Sequence, residues 1–297
     1  MNELTISTMP APRNKLSIII PAKNEAASIG LLIEGIQAQQ PDAEILVVND
    51  GSQDDTGTIA RRFGARTIDH PHSLGNGAAI KAGARQATGD ILVFLDADGQ
   101  HQPGDIPRLL ERMDAGFDMV IGARSTGKSH ANAARLFANG AYNLVASLVT
   151  GQRIPDLTSG FRAVRADLFK RFLYLLPNGF SYPTTITMAF MRSGYPVDFI
   201  DIQANKRQGK SHIKPIRDGV RFIVIIFKIA TLYAPMKLFL PASLTFFLLG
   251  LGYYLYTFAT VGRFTNMSLL LFSASVIIFL IGLISEQITA LNFKDTV

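Results

Sequence analysis

The sequence predicts an α/β fold with a mostly parallel sheet, followed by amphipathic interfacial helices and two C-terminal membrane-spanning helices. Three observations carry this. Short apolar runs alternate with helical segments through the first half of the 297-residue chain, the pattern of a helix-flanked parallel sheet. Leu238–Gly262 and Phe264–Ser285 contain no charged residue, and each exceeds the ~20 residues that cross a hydrocarbon core as a helix. Lys206, Arg207, Lys210, Lys214, Arg217, Arg221, Lys228 and Lys237 precede them against the single acid Asp218.

Taken in order, residues 1–14 form a polar, Pro-containing tail expected to be disordered. Strands are expected at Leu16–Ala22, Glu44–Asn49, Ala65–Asp69, Ile91–Leu95 and Met119–Gly122, because each is a short Val/Ile/Leu-rich run bounded by turn residues. Helices are expected at Ala26–Gln39, Asp54–Phe63, Gly77–Ala87, Pro107–Ala115 and, at greater length, Ala131–Thr150. Residues 159–203 are mixed in character. The domain division is 1–14 tail, 15–212 α/β domain, 213–236 interfacial helices, 237–290 hairpin and 291–297 tail.

The formal charge of +6 points to an anionic partner. Nucleic acid and anionic lipid headgroups both fit a basic cluster, but the uncharged spans that follow favour lipid over nucleic acid. At 100° per residue Lys214, Arg217, Arg221 and Lys228 share one helical face opposite Ile, Val, Phe and Leu. That suits a helix lying in a membrane interface as well as one packed on the domain. The hairpin is expected at Leu238–Thr260 and Met267–Ala290. By the positive-inside rule the cluster places the α/β domain and both termini in the cytoplasm, in a multi-pass inner-membrane protein. No apolar segment of the cleaved-signal type is expected at the N-terminus. The chain has no cysteine, which excludes disulfides and thiolate metal sites.

Polar motifs follow the expected strands. Pro21-Ala22-Lys23-Asn24-Glu25 follows the first, Asn49-Asp50-Gly51-Ser52 the second, Asp96-Ala97-Asp98-Gly99-Gln100-His101-Gln102-Pro103 the run Ile91–Leu95, and Gly122-Ala123-Arg124 closes another. Ligands in such sheets collect beyond the carboxyl ends of the strands. Two carboxylates one residue apart serve a hard divalent cation or simply a turn. Taken singly, each motif is also an ordinary loop; in this order and on strand ends they indicate a nucleotide site.

These residues resemble those of the family 2 glycosyltransferases of the dolichol-phosphate mannose synthase type. The likeness rests on PAKNE, NDGSQDDT, LGNGAAIKAG, DADGQHQP, GAR, LTSGFR and KRQGKSHIKPIRDG, over about residues 16–220. The hairpin is similar to that of bacterial polyisoprenyl-phosphate glycosyltransferases. The resemblance implies a GT-A fold and inverting transfer of one hexose from a nucleoside diphosphate sugar, of the GDP-mannose or UDP-glucose type. The acceptor would be an undecaprenyl or dolichyl monophosphate at the cytoplasmic face. It implies donor contacts from Pro21, Ala22, Asn24, Glu25, Asp50, Asn76, Asp96 and Ala97, with Asp50 on the nucleobase and Asp96 at the ribose–diphosphate. Asp98 and Gln100 would bind Mg²⁺ or Mn²⁺. Arg124, Arg135, Asn139, Arg162, Arg207 and Ser211 fall on the acceptor-phosphate side, and Asp98, Arg124, Arg135 and Arg207 are the catalytic candidates. Guanidinium forks suit phosphate oxygens. His212 stands where relatives commonly have Lys.

Structural alternatives accompany several positions. Arg162 could pair with a nearby acid, Arg135 could be a solvated helix residue, and Asp156 could orient substrate or cap a turn. Glu286, costly in lipid unless partnered, calls for an interfacial cation or a neighbouring protomer; a homo-oligomer through the transmembrane helices is one expectation. The sequence has no GxGxxG in register for a nicotinamide site and no GxxxxGK[ST] for a P-loop. A processive polysaccharide synthase needs a tryptophan motif, and the chain has no tryptophan. A non-catalytic membrane adaptor is disfavoured by the intact DADGQ.

Overall fold

The structure is a computed structural model, and it describes residues 15–124, 143–144, 146–147, 150–179, 182–203, 227 and 231–293. The expected tail (1–14), the start of the long helix from Ala131 and the basic interfacial helix lie outside the described residues. Those of residues 143–150 that are described are helical.

Within the first compact unit, β1 (Leu16–Ala22), β2 (Glu44–Asp50), β3 (Arg66–His70), β4 (Ile91–Phe94), β5 (Met119–Arg124), β6 (Arg162–Arg165) and β7 (Val197–Ile202) form one sheet. Their spatial order is β3-β2-β1-β4-β6-β5-β7. β1 lies between β2 and β4 and is parallel to both, with Ala22 opposite Asn49 and Ile19 opposite Phe94. β6 runs antiparallel between β4 and β5, while β5 and β7 are parallel. The mostly parallel sheet is therefore as expected, with one reversed strand that the mixed 159–203 segment concealed.

Ile18, Ile19, Ile20, Leu46, Val47, Leu92 and Val93 have no exposed surface. Both faces of the central strands are covered, which is why they read as unbroken apolar runs rather than alternating ones. The flanking helices are α1 (Ile29–Gln39), α2 (Thr56–Arg62), α3 (Asn76–Gln86), α4 (Ile106–Asp114) and α5 (Ala166–Arg171). α4 shows how a helix finds its face: Ile106, Leu109 and Met113 are buried, while Arg108 and Arg112 reach out to Asp105 and Asp198.

α1 starts three residues later than its apolar pattern suggests. Asn24 takes a left-handed φ of +56°, which Asn tolerates because its short side chain bonds locally. The chain then spends residues 26–28 turning before the helix begins.

Strand order reverses direction on either side of β1: the chain steps outward to β2 and β3, then returns to lay β4 on the opposite side. The crevice beyond the carboxyl ends of β1 and β4 is thus the topological switch point, where α/β sheets take their ligands.

α6 (Tyr182–Arg192) ends within the second unit, which also holds α7 (Pro235–Val261) and α8 (Asn266–Phe293). The last two are long and apolar enough to cross a membrane, and little of either is buried. They turn on Gly262, whose φ is +66°. Ser243 and Ser275 each donate to the other's carbonyl at 2.9 Å, and Gly250 lets Leu271 and Phe272 close in. Leu248, Leu249, Leu270 and Ile284 face outward. Glu286 finds its cation within the chain, Arg192, at 3.1 Å. In the same unit Tyr233 donates to the Thr185 carbonyl at 2.7 Å.

Candidate active site

β1, β2, β4 and β5 all end at one edge of the sheet and deliver four motifs to it. From β4, Asp96 is partly buried, Ala97 is buried and Asp98 is half-buried. Burial pushes the Asp96 carboxyl above its usual range, and the neighbouring Asp98 charge adds to this; His101, Arg124 and Arg162 oppose it without prevailing. His101 is buried and stacked on Phe161, with ring centroids 5.2 Å apart. The result is a desolvated carboxylate at the switch point, with His101, Arg124 and Arg162 as its nearby cations.

Asp98 and Gln100 present carboxylate and amide oxygens from one turn, closed by the Gln100 N–H donating to Asp98 Oδ1 at 3.1 Å. Gly99 supplies the bend with a φ of +71°. Such hard oxygen donors fit Mg²⁺ or Mn²⁺. No group of three or more His, Asp or Glu gathers among the described residues. A small protein ligand set is what a cation needs if substrate phosphates complete its shell.

The β2 end is organised differently. Asp50 is 5% exposed. Its Oδ1 accepts from His70 Nδ1 and the Leu74 N–H, both at 2.8 Å, and its Oδ2 from Ser73 Oγ at 2.7 Å and the Gly75 N–H at 3.0 Å. Burial alone would raise this carboxyl, but the four hydrogen bonds hold it down at about 2. A carboxylate offers roughly four acceptor directions, and the protein itself engages all of them. The expected contact from Asp50 to a nucleobase requires one of these bonds to give way; as built, Asp50 holds the 73–75 loop. Gly75, with a φ of +102°, lies under the Asn178 carbonyl, which would stand 2.5 Å from a Cβ. The LGNG motif thereby seats the 176–179 segment, which Lys81 clamps through the Leu176 carbonyl at 3.0 Å and Asn178 Oδ1 at 2.6 Å.

The β1 and β2 loops are stitched together. The Asn24 N–H donates to Ser52 Oγ at 3.0 Å, the Gln53 N–H to Asn24 Oδ1 at 2.8 Å, and the Glu25 N–H to Thr56 Oγ1 at 2.9 Å. Ser28 Oγ donates to the Ala97 carbonyl at 2.7 Å, tying the β1 loop to the acidic motif. Pro21, Ala22 and Asp50 therefore end their strands, and Asn24, Glu25, Asp96, Ala97, Asp98 and Gln100 sit on the loops that follow, at one edge of the sheet. Asn76 opens α3 just after the 73–75 loop, and its Oδ1 is buried without a hydrogen bond. Arg124 closes β5 at the same edge, near enough to lower the Asp96 carboxyl.

Arg135, Asn139, Arg207, Ser211 and His212 lie outside the described residues. Arg162, expected on the acceptor side, is placed otherwise. It has no exposed surface and donates to the carbonyls of Ser159 and, at 3.2 Å, Pro183. A guanidinium enclosed in this way does not meet a lipid phosphate in this geometry. In the second unit, Asp156 accepts from the Thr158 N–H and Oγ1, both at 3.1 Å, as a turn cap does. The sequence offered no sign of Tyr182 or Ser28 at this edge, and Gly160 was visible only as one letter of LTSGFR.

Residues 17–173 match the family described as glycosyl transferase family 2. The chain belongs to glycosyl transferase family 2. Residues 234–291 match the GtrB C-terminal hairpin. Among relatives of this glycosyltransferase, polyprenol monophosphomannose synthase of Mycolicibacterium smegmatis is 30% identical over 66% of this chain and 80% of its own length. Undecaprenyl-phosphate mannosyltransferase of Micrococcus luteus is 33% identical, over 62% of this chain and 82% of its own. Undecaprenyl-phosphate 4-deoxy-4-formamido-L-arabinose transferase of Pseudomonas fluorescens is 30% identical over 82% and 72%. Glucosyl-3-phosphoglycerate synthase of Mycobacterium tuberculosis, crystallised with Mn²⁺ and UDP-glucose, matches with a TM-score of 0.59. It shares 23% identity over 74% of this chain and 79% of that one. This last likeness shows the GT-A fold.

Proposed function

We propose that this glycosyltransferase moves one hexose from a nucleoside diphosphate sugar to a polyprenyl monophosphate at the cytoplasmic face of the inner membrane, with inversion. The observation that carries it is the Asp96–Asp98 pair at the switch point, in a chain that also has a membrane hairpin. The relatives named for polyprenol and undecaprenyl phosphate support the acceptor class. The likeness to a structure that bound UDP-glucose supports a nucleoside diphosphate donor.

The chemistry follows from the acceptor. A phosphate monoester has a second pKa near ~6 and is an oxyanion at neutral pH. It attacks the anomeric carbon directly, forming a carbon–oxygen bond as the bond to the nucleoside diphosphate breaks, with no proton to remove. A sugar hydroxyl would instead need a general base. Arg124, Arg135 and Arg207, with Asn139 and Ser211, hold the acceptor phosphate. The Pro21–Glu25 loop and the loop held by Asp50 line the nucleoside, and Asp96 meets the ribose–diphosphate region. Asp98 and Gln100 would hold Mg²⁺ or Mn²⁺, which supplies neutralisation of the charge on the departing diphosphate.

The test is turnover of UDP- and GDP-sugars with undecaprenyl or dolichyl phosphate, before and after chelation. Transfer should depend on added metal. Asp98→Ala should lower it by at least about a hundredfold, the cost of losing one electrostatic contact to developing charge, with the melting temperature unchanged. Undiminished turnover in metal-free buffer contradicts the proposal.

A further inference from the structure

We propose that the Ser159–Arg162 segment, which leads into β6, is a positioning device for Asp96. Gly160 leaves the space that the carboxylate fills, and Arg162 fixes the segment around it. This rests on the reading of Asp96 as a donor-site residue and assigns Arg162 to the donor side instead of the acceptor side.

The register of the reversed strand is the starting point. β6 pairs with β4 so that Arg162 is opposite Phe94 and Ala163 opposite Val93. Continuing that antiparallel register by two residues puts Gly160 opposite Asp96. Residues opposite one another across antiparallel strands bring their side chains together. Here one partner has no side chain. A Cβ on Gly160 would stand 2.8 Å from Asp96 Oδ2 and 3.4 Å from both its Cγ and its Oδ1. All three closest atoms belong to that one carboxylate, so glycine at this position makes room for Asp96.

The segment itself is fastened from behind. Arg162 donates to the Ser159 carbonyl and, at 3.2 Å, to the Pro183 carbonyl. Tyr182 is buried and donates to the Gly160 carbonyl at 3.5 Å, and the Arg162 guanidinium lies 5.9 Å from its ring centroid. On the far side the Gly122 N–H donates to the Phe161 carbonyl at 3.0 Å. A buried guanidinium is costly unless its donors are met and a counter-charge is near. The carbonyls meet donors of Arg162, and Asp96 is an acid close enough to feel its charge. The fork geometry matters: Arg162 uses a separate nitrogen for each carbonyl, and lysine would keep the charge with a single nitrogen in place of the two.

A double-mutant cycle tests this. The readout is calorimetric affinity for the nucleoside diphosphate alone, UDP or GDP as wild type prefers, with Mn²⁺ and the full-length protein in detergent. Gly160→Ala and Arg162→Lys are each measured with Asp96 present and in the Asp96→Ala background, with melting temperatures alongside. With Asp96 present, each should weaken nucleotide binding about ten- to a hundredfold, the cost of misplacing a positioned group by about 1 Å. In the Asp96→Ala background each should change it less than about twofold, because coupled residues are non-additive. The KM for lipid phosphate should hold steady in Arg162→Lys. If Asp96→Ala leaves nucleotide affinity intact, the donor-site reading fails and the positioning proposal with it. If Asp96→Ala weakens binding but the segment variants cost the same in both backgrounds, only the positioning proposal fails. A raised lipid KM in Arg162→Lys with unchanged nucleotide affinity returns Arg162 to the acceptor. Should Gly160→Ala fail to fold, the Arg162→Lys cycle decides.

Discussion

Asp50 and Asp96 close neighbouring parts of one sheet edge, and the protein treats them in opposite ways. Asp50 receives four hydrogen bonds from residues 73–75 and His70, and its carboxyl is held at about 2. Asp96 is desolvated beside another carboxylate, and its carboxyl is pushed upward. The first has its needs met by the fold and holds a loop. The second is penalised by burial more than its neighbouring cations relieve it. Two identical side chains are thus shifted in opposite directions by their surroundings alone.

That contrast has measurable consequences, the largest at Asp96. A carboxyl raised by folding stabilises the native state fully below the ordinary carboxylate range, and that contribution is lost as pH rises through the raised value. At neutral pH the charge is therefore a cost, and a neutral isostere removes it. Asp96→Asn should abolish sugar transfer yet raise the melting temperature at pH 7 in chelated, nucleotide-free buffer. A variant that is both inactive and less stable breaks the comparison.

The smaller effect is at Asp50, with the reverse sign. Its lowered carboxyl contributes stability that is present above the ordinary value of 3.8 and lost as pH falls through it toward about 2. Asp50→Asn should cost on the order of 2 kcal/mol at neutral pH, the worth of its lowered carboxyl. The gap from wild type should narrow in acid unfolding series between pH 4 and 2. A constant gap at every pH would assign the loss to packing alone.

The fold was largely legible because β1, β2 and β4 are buried on both faces and so announce themselves as apolar runs. β6 and β7 were not. β6 is four residues long and bears a buried arginine, and β7 carries Asp198 and Asp201, three residues apart, which breaks any period-two pattern. The hairpin was legible for the opposite reason to the sheet. Its large apolar residues face out and its buried positions include Ser243, Gly250 and Ser275, as expected where lipid is the solvent and small or polar residues join the helices. At the site, the motifs named the strand ends correctly but not their wiring. The partners of Asp50 lie 20 to 25 residues away. Arg162 suggested phosphate binding because its burial depends on a reversed strand that no local pattern revealed.

The central claim is that the acceptor is an ionised lipid phosphate, held by arginines, so that no general base is needed. The most direct measurement compares polyprenyl monophosphate with the corresponding polyprenyl alcohol, at equal chain length and pH 7.5, using whichever nucleotide sugar the protein turns over. Transfer to the phosphate with none to the alcohol, and a product labile to the mild acid that cleaves glycosyl phosphates, is the predicted result. Comparable transfer to the alcohol would contradict it.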